Sequence, residues 1–104
     1  MYEKMKEYTP CRIHECYFDN GTFVELCTQA GIKRLKGFGR VIWNMCDGKN
    51  TIENMVSRIS EDKIKDIDFL NNECVKLLLK LNAMGLVIMN WDPLYKERKK
   101  QYEE

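Results

Sequence analysis

The chain has 104 residues and a mass of 12.4 kDa, enough for one compact domain and too little for a second core beside it. Hydrophobic residues at 44% and charged residues at 32% exclude an intrinsically disordered chain, and seventeen Lys and Arg against sixteen Asp and Glu exclude the bulk positive charge of a generic nucleic-acid binder. No apolar run approaches the roughly 18 to 20 residues that cross a bilayer, and Met1-Tyr2-Glu3-Lys4-Met5-Lys6-Glu7 has no apolar signal core, so a cytoplasmic protein is expected.

Residues 1–10 read as an N-terminal extension, residues 11–90 as the domain and residues 91–104 as a charged C-terminal tail. The order within the domain is strands, then helices. Asn20-Gly21 lies between the β-forming segments 13–18 and 22–27 and predicts a type I′ hairpin, because both central residues tolerate positive φ. A second reversal at Gln29-Ala30-Gly31 leads to a third strand, Ile32-Lys33-Arg34-Leu35, which pairs with the second since consecutive strands usually neighbour one another. The result is a three-stranded antiparallel meander with two edges, whose unpaired N–H and C=O groups must be covered, charged or used.

Phe38, Val41, Ile42 and Met45 fall on one helical face and predict a first helix over 39–46, with Asp47-Gly48 closing it. Ile52, Met55, Val56 and Ile59 repeat the pattern in a second helix capped by Asn50 or Thr51, with Glu53 or Asn54 at the reciprocal position. Residues 61–65 read as a connection. Asp66 or Asp68 caps a longer third helix carrying Leu70, Cys74, Leu77, Leu78, Leu81 and Met84 and ending at Gly85. Val75 and Leu79 widen its apolar arc beyond a simple stripe. Leu86-Val87-Ile88-Met89 is long enough for a small strand before Asp92-Pro93, and the tail beyond reads as a frayed helix or disordered segment. The fold class is α+β: a winged helix-turn-helix-like domain with a three-stranded antiparallel sheet followed by three helices.

The five cysteines are odd in number and none are spaced C-x-x-C, which opposes a disulfide framework and a zinc knuckle. Cys11, His14 and Cys16 make the best metal candidate, but on one strand Cys11 and His14 would point to opposite faces, so no metal site is expected. His14 has no Ser or Asp in a triad-like arrangement, and Gly37-Phe38-Gly39 lacks the rest of any dinucleotide or phosphate loop. Neither catalytic residues nor a cofactor are expected.

Binding is the better class of function. A winged helix often reads DNA with its third helix, but here Asp68 and Glu73 cancel Lys76 and Lys80, so DNA binding is the alternative reading. Positive charge gathers instead at Lys33, Arg34, Lys36 and Arg40, in a window from 32 to 40 with no acidic residue. That is either a solvated face or, on an edge strand beside an apolar helix, the setting for β-augmentation.

Leu35-Lys36-Gly37-Phe38-Gly39-Arg40-Val41-Ile42-Trp43-Asn44-Met45-Cys46-Asp47-Gly48-Lys49-Asn50-Thr51-Ile52-Glu53 resembles the PqqD-like family, the precursor-peptide recognition element of ribosomally made, post-translationally modified peptides. Leu78, Leu81 and Gly85-Leu86-Val87 are similar to that family's closing segment, and the likeness runs over residues 11–87. Lys36 stands where the family commonly has Asn, and the link between the second and third helices departs from the family's wording. The resemblance implies a non-catalytic chaperone that binds a precursor leader peptide by strand addition and presents it to a modifying enzyme, often a radical S-adenosylmethionine protein. It further implies main-chain contacts from Ile32, Lys33, Arg34 and Leu35, with Asn71, Val75, Leu78 and Asn82 as the facing helical row, and the charges of Lys33, Arg34 and Arg40 would favour an acidic leader. The other reading of Val75 and Leu78 is that they complete the core. The open edge would also admit a second copy of the chain as a homodimer.

Overall fold

A computed structural model describes residues 2–60 and 66–91. Its elements are α1 (Tyr2–Met5), β1 (Cys11–Arg12), β2 (Tyr17–Asp19), β3 (Phe23–Thr28), β4 (Gly31–Lys36), α2 (Phe38–Met45), α3 (Ile52–Ser60), α4 (Ile67–Ala83) and β5 (Val87–Ile88). The protein is α+β, with a three-stranded antiparallel sheet ordered β2-β3-β4 and a separate two-stranded ribbon of β1 and β5.

Of the segment expected as one strand over 13–18, only Tyr17 and Phe18 enter β2; residues 13–16 lie outside both sheets, and Cys11–Arg12 ahead of it form β1. Cys11 pairs with Ile88 and Arg12 with Val87, and the Arg12 and Ile13 amides donate to the Cys46 and Leu86 carbonyls at 2.8 and 3.1 Å. Only Tyr17 onward joins the meander, so Cys11 and His14 do not share a strand. The β2–β3 turn is also displaced by one residue from the Asn-Gly reading. Asn20 N donates to Phe23 O at 3.2 Å, which makes Gly21 (φ 94°) and Thr22 the tip. The Asn20 carboxamide oxygen accepts from the amides of Thr22 and Phe23 at 2.9 and 3.0 Å, and this side-chain capture competes with a turn centred on Asn20 itself.

The helices follow their sequence signals closely. Thr51 Oγ1 accepts from Asn54 N at 3.0 Å and Asp66 Oδ1 from Phe69 N at 3.0 Å, so Thr51 and Asp66 are the N-caps of α3 and α4. At the other end of α4, Leu86 N donates to Leu81 O and Gly85 N to Asn82 O with Gly85 at φ 75°, the paired bonds of a Schellman stop. The core lies between the sheet's inner face, Val24 and Leu26, and the three longer helices, with Trp43 and Leu78 at its centre and fully buried. Tyr17 meets Trp43 edge-on at 5.3 Å, and Arg12 bridges them by a 3.0 Å bond to the Trp43 carbonyl and a stack over Tyr17.

Residues 2–10 pack onto this body. Pro10 is buried, Tyr2, Met5 and Tyr8 lie against the core, and the amides of Ile52 and Glu53 donate to the carbonyls of Tyr8 and Lys6 at 3.0 Å. Trp91 crosses back over this segment, its amide donating to Thr9 O at 2.8 Å and its indole covering Gly48. The expected link over 61–65 and the tail beyond Trp91 lie outside the described residues.

Candidate peptide-binding groove

The alternation of hydrogen bonds in an antiparallel meander determines which groups of β4 are free. Thr28 and Gly31 flank the two-residue loop Gln29-Ala30, so the bonded pairs of β3 and β4 are Thr28↔Gly31, Leu26↔Lys33 and Val24↔Leu35. The Asn20–Phe23 bond gives β3 the complementary set toward β2. It follows that Ile32, Arg34 and Lys36 turn their N–H and C=O groups to the outer edge, where no strand pairs with β4 among the described residues. All six residues of β4 are exposed except Leu35, which is half-buried.

Beside that edge lies a groove of about 390 Å³ walled by β4, the start of α2 and one shoulder of α4. Its apolar surfaces are Leu35, Phe38 and Leu77, and a smaller hollow of about 90 Å³ continues it past Lys33 to Met84. Gly39 is buried at the base, where an added Cβ would lie 3.6 Å from Leu35 and 3.7 Å from Leu77. The charged lining holds five cations, Lys33, Arg34, Lys36, Lys76 and Lys80, against one carboxylate, Glu73. Arg34 pairs with Glu25 at 3.2 Å and lies over the Phe23 ring, and Lys76 pairs with Glu73 at 3.6 Å. Lys33, Lys36 and Lys80 have no ion-pair partner among the described residues.

The structure therefore places Ile32, Lys33, Arg34 and Leu35 together on the edge strand, but only Ile32 and Arg34 of these turn main-chain groups outward, those of Lys33 and Leu35 being bonded to β3, and the other expected contacts are distributed elsewhere. Arg40 is committed to the protein itself: its Nε donates to Asp19 at 2.8 Å and joins α2 to the β2–β3 turn. That bond, together with the Gly21 amide and the Asn44 carboxamide, holds the Asp19 carboxyl down at about 2. Val75 and Leu78 are 2% and 0% exposed and belong to the core, and Asn82 Nδ2 donates to the Val87 carbonyl at 2.9 Å. Asn71 Oδ1 is buried without a hydrogen-bond partner among the described residues.

The reason is helical geometry. At about 100° per residue, the row 71, 75, 78 and 82 and the row 73, 77, 80 and 84 are centred half a turn apart. They form opposite shoulders of the same wide buried arc, and α4 is rotated so that the second one meets β4. Sequence reasoning placed the basic residues of β4 but missed Glu73, Lys76, Lys80 and Met84 as groove residues and counted Leu77 only as core. Their shared face was legible from spacing; which shoulder addressed the strand was not.

Among the described residues no group of three His, Cys, Asp or Glu is placed to hold a metal; His14 Nε2 lies 2.8 Å from the Cys27 carbonyl oxygen. Comparison with known proteins finds no matching family model, no significantly similar curated protein and no significantly similar solved structure.

Proposed function

We propose that the chain is a non-catalytic peptide-binding protein that takes an extended, acidic leader segment as an added strand on β4 and presents it to a peptide-modifying enzyme, such as a radical S-adenosylmethionine maturase, in the cytoplasm. The observation that carries this reading is the β4 edge, unpaired among the described residues, lying directly beside a cationic, apolar-floored groove. An added strand satisfies the outward main-chain groups of Ile32, Arg34 and Lys36, and its alternate side chains fall toward Leu35, Leu77 and Met84. One buried leader side chain is worth about 1.5 to 3 kcal/mol before ordering costs, so several contacts are needed, while Lys33, Lys36 and Lys80 assist encounter and select acid. The resemblance of residues 35–53 to PqqD-like proteins and the order of sheet and helices, in the manner of a winged helix-turn-helix, support the same reading.

DNA binding is the competing use of a winged helix. The first turn of α4 exposes Ile67, Asp68 and Phe69, an apolar and acidic surface that phosphates disfavour. Titration of a leader peptide encoded beside this chain, followed by backbone amide shifts, tests the proposal. The expected changes are saturable and centred on β4 and the Leu77 side of α4. Shifts absent there, or a steeply salt-dependent response to duplex DNA, or β4 occupied by a second copy of the chain, would refute it.

A further inference from the structure

The outer face of the sheet carries a pair of thiols that the groove does not use. Continuing the β2–β3 register beyond Tyr17↔Leu26 sets Cys16 opposite Cys27, and the Cys27 amide donates to the Cys16 carbonyl at 2.9 Å. This is a hydrogen-bonded antiparallel pair, for which Cα atoms lie about 5.5 Å apart, inside the range of about 4.4 to 6.8 Å that a disulfide spans, while the Cβ atoms, at the wide end of about 4.5 to 5.5 Å, must draw together to about 4.5 Å as the bridge closes. Opposed residues of such a pair project on the same face, and both cysteines are free and exposed. The remaining thiols differ: Cys11 is half-buried, and burial pushes Cys46 and Cys74 up to about 12, which keeps them protonated and inert. The Cys27 thiol, donating a hydrogen bond to Cys16 and lying beside its charge, is pushed above its ordinary range.

We infer that Cys16 and Cys27 are a redox modification site that closes into an intramolecular disulfide by exchange with a small-molecule disulfide of the glutathione type. One thiolate of the pair attacks a sulfur of the small disulfide, whose S–S bond breaks and whose other half leaves as a thiolate. The second protein thiolate then attacks the mixed disulfide and expels the remaining half. Two protein thiols are oxidised, and the small disulfide is reduced to two thiols that carry away the two protons. Cys27 is also the register partner of Ile32, so the closed bridge staples the start of β2 to β3, the strand against which the groove-bearing β4 pairs.

Incubation of the folded chain with glutathione disulfide, followed by alkylation and intact mass, tests this. The expected product lacks two of the five thiols, carries no glutathione, maps to a Cys16–Cys27 linked peptide and reverts with dithiothreitol. Cys16→Ser and Cys27→Ser each change an exposed side chain and are expected to stop at a stable glutathione adduct on the remaining partner. Separate adducts on both cysteines of the unaltered chain, disulfide-linked dimers, or five unreacted thiols would each overturn the inference.

Discussion

Truncation of adjacent leucines on α4 separates a core role from a binding role. Leu78 is 0% exposed among core side chains, whereas Leu77 is half-buried against the groove. Leu78→Ala forfeits about 1.5 to 3 kcal/mol of transfer free energy and leaves a cavity that tight packing only partly refills, so a loss of about 3 kcal/mol is expected. In a domain of this size each kcal/mol is worth about 4 to 8 °C, which places the fall in thermal midpoint at about 12 to 24 °C. Leu77→Ala, with less area to lose, is expected to cost under about 1.5 kcal/mol in stability. Its effect on leader affinity is the larger one, a weakening of about tenfold for roughly 1.4 kcal/mol of lost apolar contact. Urea denaturation followed by circular dichroism and a peptide titration on each variant supply the two axes. A Leu78→Ala protein that loses less than about 1 kcal/mol of stability while losing the peptide would show that α4 turns its other shoulder to the guest, and the groove assignment would fail.

Three further outcomes rest on other parts of the molecule. Gly48 adopts φ 77° and a Cβ there would lie 2.5 Å from the Trp91 indole, so Gly48→Ala combines about 1 to 2 kcal/mol of backbone strain with displacement of the ring; a red-shifted tryptophan emission and a lower urea midpoint are expected, and an unchanged spectrum would contradict that packing. Asp19 is held at about 2 against an ordinary 3.8, so its contribution to stability is full above pH 3.8 and is lost as pH falls toward 2; Asp19→Asn is expected to flatten the stability profile within that window, and identical profiles would refute the Arg40 tie. Lys80→Glu is expected to weaken binding of an acidic peptide about two- to fivefold at low salt and little at high salt, with stability unaltered; a salt-independent effect would remove charge selection from the account.

Exposed cations on β4 meet two requirements at once. They discourage edge-to-edge pairing between identical copies, because Lys33 and Lys36 would face like charges, and they leave the same edge attractive to an acidic strand. A bare apolar edge would satisfy neither. Arg40 shows how the same sequence window serves a different purpose one turn later, where Asp19 neutralises it and α2 is fastened to the hairpin.

Local chemistry sufficed for the sheet-then-helices order, the Gly85 stop and the basic third strand, and narrowed the caps to Asn50 or Thr51 and Asp66 or Asp68, because each depends on neighbours within a few residues: a side-chain oxygen reaching an amide, a glycine reaching positive φ, or apolar spacing at the helical period; the structure selects Thr51 and Asp66. Tertiary structure alone decided three matters. The two-residue strands β1 and β5 are too short to carry a period, and their pairing exists only because residues 9–12 and 87–91 are brought together, as in the bond from Trp91 N to Thr9 O. The β2–β3 turn moved by one residue because the Asn20 side chain captured two amides. Finally, the width of the apolar arc on α4 was written in its residues, but the rotation that buries Val75 and Leu78 and turns Leu77, Lys80 and Met84 toward β4 is set by packing against all its neighbours together, a constraint that spacing along one helix does not contain.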